Sequence, residues 1–415
     1  MRCIRADVSK LGFLGNASID AVVLLWSLHE LKKPDKILRK TRRKLRPCGK
    51  RGTGRTIDKG TEAQEHMKLN LPAAATTGVG SLPHTDVEAA CDFVLSSGCT
   101  IPYWPQLPKR DYRERMIPQY AAELPGLRLN DDKKIFWVER EDSFIDALTA
   151  LYERFLKPGA EFPLNEDFAK GFYAFEKRLK EAPEKPAFVK GQVTGPFTFT
   201  LGLNDSDGRP IYADEQMRDA SLRLITRNAA WQVERLKALS RVGVIIFIDE
   251  PIAAALGTAA YLAVQPEDVT AYINIIVKAV HDAGGIAGTH CCGTTDWSLF
   301  AASDLDILNF DAWNYFDNVA VYSPEIRQFL EKGGVLAFGI VPTDQGIVEA
   351  TADRISEKFR VQLRTLIGKG IPKDLLGKRL ILTPSCGCGS LSISNSEKVF
   401  YLLGEQLKTV QEELR

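Results

Sequence analysis

From residue 67 onward, eight apolar, β-rich runs alternate with stretches of helical spacing, and this alternation constrains the fold more than any other feature of the chain. The runs span 75–81, 99–105, 187–196, 242–251, 285–293, 305–313, 333–342 and 378–387. Between them, stretches such as 214–240, 267–284 and 350–369 are amphipathic, and a helix-rich insertion falls near 157–182. Strands that read as continuous apolar runs are buried on both faces, and their alternation with helices indicates a parallel sheet. Eight such units in residues 67–415 predict a (β/α)8 TIM barrel. An open, doubly wound sheet is the alternative.

The chemistry-bearing residues are unevenly placed along these runs. Ser81, Gln106, Thr194-Gly195-Pro196, Asp249-Glu250, His290 with Cys292, Asp311 and Cys386 all stand at or just beyond carboxyl ends. Barrels assemble their sites on that face from several strands. The run Thr289-His290-Cys291-Cys292-Gly293 ends the fifth predicted strand. Residues two apart on an extended chain share a face, so His290 and Cys292 converge while Cys291 points away. Cys386, at the end of the eighth strand, offers a second thiolate. One imidazole and two thiolates form a ligand set suited to Zn2+. Asp311, water or a substrate could fill a fourth position. A thiol bound to such an ion loses its proton, although a free thiol with a pKa near ~8.5 keeps it at neutral pH. The pattern therefore points to activation of a thiol nucleophile. The competing reading is a core histidine with inert buried thiols.

Composition narrows the field. Hydrophobic residues make up 45% and charged residues 26%, within the range of an ordinary globular protein. No apolar run approaches the roughly 18 residues of a membrane span, and no signal peptide is visible. Eight cysteines without framework spacing suit a reducing compartment, so a cytoplasmic location is expected. The net charge of +1 gives no global footprint for nucleic acid. That total conceals a split: residues 1–66 carry a surplus of nine positive charges and the remainder a deficit of eight. In residues 1–50 the run 19–29 reads as a strand, and Lys36 to Arg46 as a basic helix stopped at Pro47. Residues 51–66 read as a polar linker. One strand and one helix cannot bury a core, so an extension without autonomous function is expected, and His29 receives no role.

Two resemblances follow from these residues. The stretch from Ala6-Asp7 through Asp20 and Leu28-His29-Glu30 to Arg46-Pro47 resembles the middle of a class I S-adenosylmethionine-dependent methyltransferase, without that family's glycine-rich cofactor turn. The second carries Val79-Gly80-Ser81, Thr194-Gly195-Pro196, Ile248-Asp249-Glu250-Pro251, Thr289-His290-x-Cys292 and Cys386-Gly387, and spans residues 67–415. It is similar to the C-terminal catalytic barrel of cobalamin-independent methionine synthase. That superfamily also holds uroporphyrinogen decarboxylase and the methylcobamide:thiol methyltransferases. The resemblance implies zinc on His290, Cys292 and Cys386, with Asp311 in the place of a family glutamate. It implies that Gly80, Ser81 and Asp249 hold the amino-acid end of homocysteine. Gln106 stands near another substrate-binding glutamate, and Asp344 is the nearest titratable residue to a proton-transferring histidine.

The chain departs from that pattern at the donor side. Leu201-Gly202-Leu203 stands where the family's folate-stacking tryptophan lies, and Cys386-Gly387-Cys388-Gly389-Ser390 replaces a Cys-Gly-Leu-Lys-x-Arg run. The expected partners are a homocysteine thiol and a methyl donor, either methyltetrahydrofolate or a methylcorrinoid protein. Two alternatives remain: transfer to another thiol of the coenzyme M type, and decarboxylation with Lys109, Arg110, Arg113 and Arg115 gripping carboxylates. A non-catalytic metal-binding or corrinoid-chaperone module is a reading of another class.

Overall fold

The computed structural model describes residues 74–414, apart from 259, 260, 262, 263, 378 and 379. The chain divides into two units, Met1–Gln64 and Glu65–Arg415. All described residues belong to the second. The strand, basic helix and linker expected in residues 1–66 lie outside the described residues.

The second unit is an α/β fold built on a curled, seven-stranded parallel sheet in the order β1-β9-β8-β7-β6-β5-β4. Its strands are β1 (Ala75–Thr76), β4 (Phe188–Thr194), β5 (Gly243–Asp249), β6 (Ile286–Cys291), β7 (Ile307–Phe310), β8 (Val335–Val341) and β9 (Leu380–Pro384). Each lies inside a run expected to be a strand, and every pairing is parallel. The connecting helices include Glu215–Lys237, Pro266–Asp282 and Ala352–Gly368. Asp214 caps the first by accepting from the Met217 N–H at 2.9 Å, and Thr351 caps the third through the Arg354 N–H. Such caps satisfy N–H groups that a helix leaves without partners in its first turn.

The second expected strand, 99–105, does not form one. Pro102 and Pro105 lack the N–H that a ladder requires, which confines pairing to isolated points. The segment nonetheless bonds to both edges of the sheet. Ile101 N donates to Thr76 O, Lys190 N to Pro102 O, and Trp104 N to Lys190 O. Gln106 N and Leu82 N join it to the chain after β1. The insertion expected near 157–182 holds helix Lys170–Glu181. Ahead of it the chain adds helix Phe144–Leu156 and an unexpected antiparallel hairpin of β2 (Leu127–Asn130) and β3 (Ile135–Val138). The hairpin strands are four residues each, too short for alternation to distinguish them from loop.

Side chains sort by parity along the strands. A compact apolar cluster takes Ala75, Ile101, Phe188, Ile245, Ile286, Ile307, Val335 and Ile381. That is one residue from each sheet strand and one from the irregular segment. Phe247 and Ala337, two positions further along β5 and β8, complete its upper layer. Residues of the same parity beyond this layer are polar: Gln192, Asp249, His290, Asn309 and Thr383, all buried. The residues of opposite parity pack outward against the helices in a separate, larger core. Phe247 is fully buried in the inner cluster, so Phe247→Ala is expected to lower stability by about 3–5 kcal/mol in chemical denaturation, since the closed surroundings cannot collapse into the void.

Candidate metal centre

His290, Cys292 and Cys386 come together at the carboxyl ends of β6 and β9. One ligand atom from each lies within 4.8 Å of the other two. Cys292 and Cys386 are separated by 94 positions, so the sheet closes this group and local sequence does not. Cys291 points away, fully buried in the outer core, where burial pushes its thiol up to about 12. Cys388 is likewise buried outside the group.

The imidazole is oriented by β7 and its neighbours. His290 pairs in register with Asn309, and its Nδ1 lies 2.6 Å from Asn309 Oδ1. Asn309 cannot present its amide nitrogen there, because Nδ2 already donates to Ala337 O and Thr383 Oγ1, both at 2.8 Å. Asn309 Oδ1 is therefore the acceptor and His290 Nδ1 carries the hydrogen. The other nitrogen, Nε2, is buried and makes no hydrogen bond. A buried polar atom without a partner is costly, and this one faces two sulfurs in the arrangement a metal-ligating histidine requires.

The charges agree with this geometry. The hydrogen bond from Cys386, with a further contribution from His290, pulls the Cys292 thiol down to about 4 against the opposing effect of burial. Cys386 moves in the opposite direction, through its bond to Cys292 and through burial. Burial pulls the His290 imidazole down, but Cys292, Asp249 and Asn309 outweigh it and raise it. Cys292 is thus the member of the group drawn toward its thiolate, the form that binds a soft cation.

Asp249 sits beside His290 in register. It is buried, its Oδ1 has no hydrogen-bond partner, and burial raises its carboxyl to about 6 while His290 and Lys190 oppose the shift. Gly80, Ser81 and Gln106 adjoin one another through a parallel bridge between Ser81 and Gln106. Ser81 also holds the loop that bears Cys386: its carbonyl accepts from Cys388 N at 2.9 Å and its Oγ from Gly389 N at 3.2 Å. A Cβ on Gly387 would stand 2.1 Å from Ser81 Oγ, so only glycine allows this approach. The Gln106 side chain is turned to Gln119.

Asp311 lies outside the group of three. Its two oxygens accept from Asn314 N at 2.8 Å and Asn314 Nδ2 at 3.0 Å. Burial raises its carboxyl to about 6, with Asn314 opposing. The same Nδ2 reaches Asp344 at 3.2 Å, so these two carboxylates meet on Asn314 at the rim, with Asp344 exposed. The adjacent Glu250 is structural: it accepts from Phe197 N, Thr198 N and Thr198 Oγ1, capping the helix Pro196–Gly202.

Two residues escaped sequence reasoning, Asn309 and Lys190. Asn309 is the one polar residue of β7, and Lys190 is the one charged residue of β4, each at the parity that faces the interior. That interruption is the signal by which they could have been found.

Comparison with known proteins adds little at this site. Residues 1–51 match the family model described as a methyltransferase domain, and they lie outside the described residues. No curated protein matches the chain. Among solved structures, the chain is similar to a methyltransferase from Methanosarcina mazei, with 14% identity over 81% of this chain and 94% of that one and a TM-score of 0.48. Among the described residues, no helix is long and apolar enough to cross a membrane.

Two outcomes are expected from this geometry. Asn309→Leu removes the acceptor that orients His290 and should weaken metal binding about 10–100-fold in chelator competition, whereas Asn309→Asp retains it. In metal-free protein, folded Asp311 holds its proton up to about pH 6, while its ordinary value is 3.8. The folded state binds more protons across that window, so stability falls as pH rises through it. Asp311→Asn should remove this fall, a gain of at most roughly 3 kcal/mol above pH 6 in denaturation measured at several pH values.

Proposed function

We propose that the chain is a zinc-dependent methyltransferase that alkylates the thiol of homocysteine, forming methionine, within a closed eight-position barrel. Closure is supported by the segment 99–106, which bonds to β1 on one side and β4 on the other. It is supported also by the inner cluster, to which all eight chain segments contribute. The observation that carries the function is the convergence of His290, Cys292 and Cys386, with the histidine held in the tautomer that leaves Nε2 free.

These residues fit a zinc ion: one orphaned nitrogen and two sulfurs are the donor types that zinc sites use. When bound, zinc supplies a Lewis acid that lowers the pKa of an incoming thiol. Asp311 is the carboxylate that would supply a fourth ligand to a bound ion, leaving that position to a thiol substrate. Asp249 offers its unpaired oxygen to the substrate ammonium. Gly80 and Ser81 offer backbone N–H groups to the carboxylate; among the described residues no backbone carbonyl accepts from either. Gln106 backs that turn. Asp344, exposed at the rim and linked to Asp311 through Asn314, is the group that passes protons to solvent. In the transfer, a sulfur–carbon bond forms and the bond from the methyl carbon to its carrier breaks, its electron pair staying with the carrier. The carrier is methyltetrahydrofolate or a methylcorrinoid protein, and the free thiols suit the cytoplasm.

Decarboxylation is less well supported. Of its four cations, Arg110 pairs with Glu114, Arg113 with Asp111, and Lys109 donates to Leu391 O, leaving few to grip a polycarboxylate.

The test is metal analysis with a methyl-transfer assay on the full chain, comparing both donors. Cys292→Ser and Cys386→Ser should each lose zinc and lower turnover by at least ~100-fold, the scale of losing a transition-metal activator. Turnover that survives in a zinc-free variant would remove the mechanism.

A further inference from the structure

Lys190 is the one lysine fully buried among the described residues. It lies on β4, inside the curled sheet, with its ammonium 4.5 Å above the Phe247 ring. Its Nζ donates to Val79 O at 2.6 Å and to Gln192 Oε1 at 3.3 Å. Burying an ammonium is expensive unless it is paired and hydrogen-bonded, so its retention needs a reason beyond packing. Burial lowers this lysine to about 8, and Asp249 opposes the shift.

One consequence follows from these contacts. A trans peptide points its C=O and N–H to opposite sides, so holding Val79 O against the Lys190 ammonium also turns the Gly80 N–H away from that ammonium. We propose that Lys190 is a positioning residue for the amino-acid end of the thiol substrate, fixing the Gly80–Ser81 turn that receives its carboxylate. This rests on the thiol-alkylating reading above. Lys190 bonds to Val79 O and Gln192 Oε1 and to none of His290, Cys292 and Cys386, so its influence is expected on recognition of the substrate's distal groups.

The test uses the full chain loaded with Co(II), whose thiolate absorption reports sulfur binding directly. L-Homocysteine carries the amino-acid end and 2-mercaptoethanol does not. Lys190→Met should retain the metal stoichiometry and bind 2-mercaptoethanol within about twofold of the unmodified chain, while homocysteine weakens about tenfold or more. Lys190→Gln keeps a neutral donor for Val79 O and should stay within about threefold of the unmodified chain for homocysteine. A folded Lys190→Met variant with an unchanged ratio of the two affinities overturns the proposal. So does a failure of both variants to fold, which would make the role structural. If neither thiol perturbs the cobalt absorption of the unmodified chain, the thiol-activating reading itself falls.

Discussion

Alternate residues of every strand in the curled sheet must face one shared interior, and the rest of the molecule depends on that constraint. On β5 the inward positions read Ile245, Phe247, Asp249; on β6 they run through Ile286 and Gly288 to His290. The lower layers are apolar and pack into a small dry cluster. The upper layers carry nearly all the chemistry. Because the floor is apolar, every polar group above it sits in a medium of low dielectric, where an unpaired donor or acceptor is costly and a paired one is firmly held.

That setting explains the contrast between satisfied and unsatisfied atoms. Asn309 uses its carbonyl oxygen and its amide nitrogen, and Lys190 and Gln192 bond to each other and to the backbone. His290 Nε2 and Asp249 Oδ1, by contrast, are buried without partners. In the function proposed above, these two are the atoms left for groups that enter from the carboxyl face. A soft cation suits the first and an ammonium group the second.

Much of this was legible beforehand. The seven regular strands fall inside apolar runs, because a strand buried on both faces has no reason to alternate and must be continuously hydrophobic. The pairing of His290 with Cys292, and the exclusion of Cys291, followed from the two-residue period of extended chain. The segment 99–105 misled because its apolar content resembles a strand while its prolines forbid the ladder. Asp311 lies near the expected place, yet Asn314, three residues further on, draws its oxygens into a local turn that no long-range pattern signals.

Sequence by itself determined what each segment could be: which runs extend, which coil, which residues share a face, and which donor types a metal would accept. These are properties of neighbours a few positions apart, governed by backbone geometry and side-chain chemistry. Only the tertiary structure decided which distant segments meet. It brought Cys386 to Cys292, turned Asn309 so that its oxygen meets His290, and carried the Lys190 ammonium to the carbonyl of Val79, 111 positions away. Those outcomes depend on sheet order and register, which are set by packing the whole interior at once and are written in no single stretch of the chain.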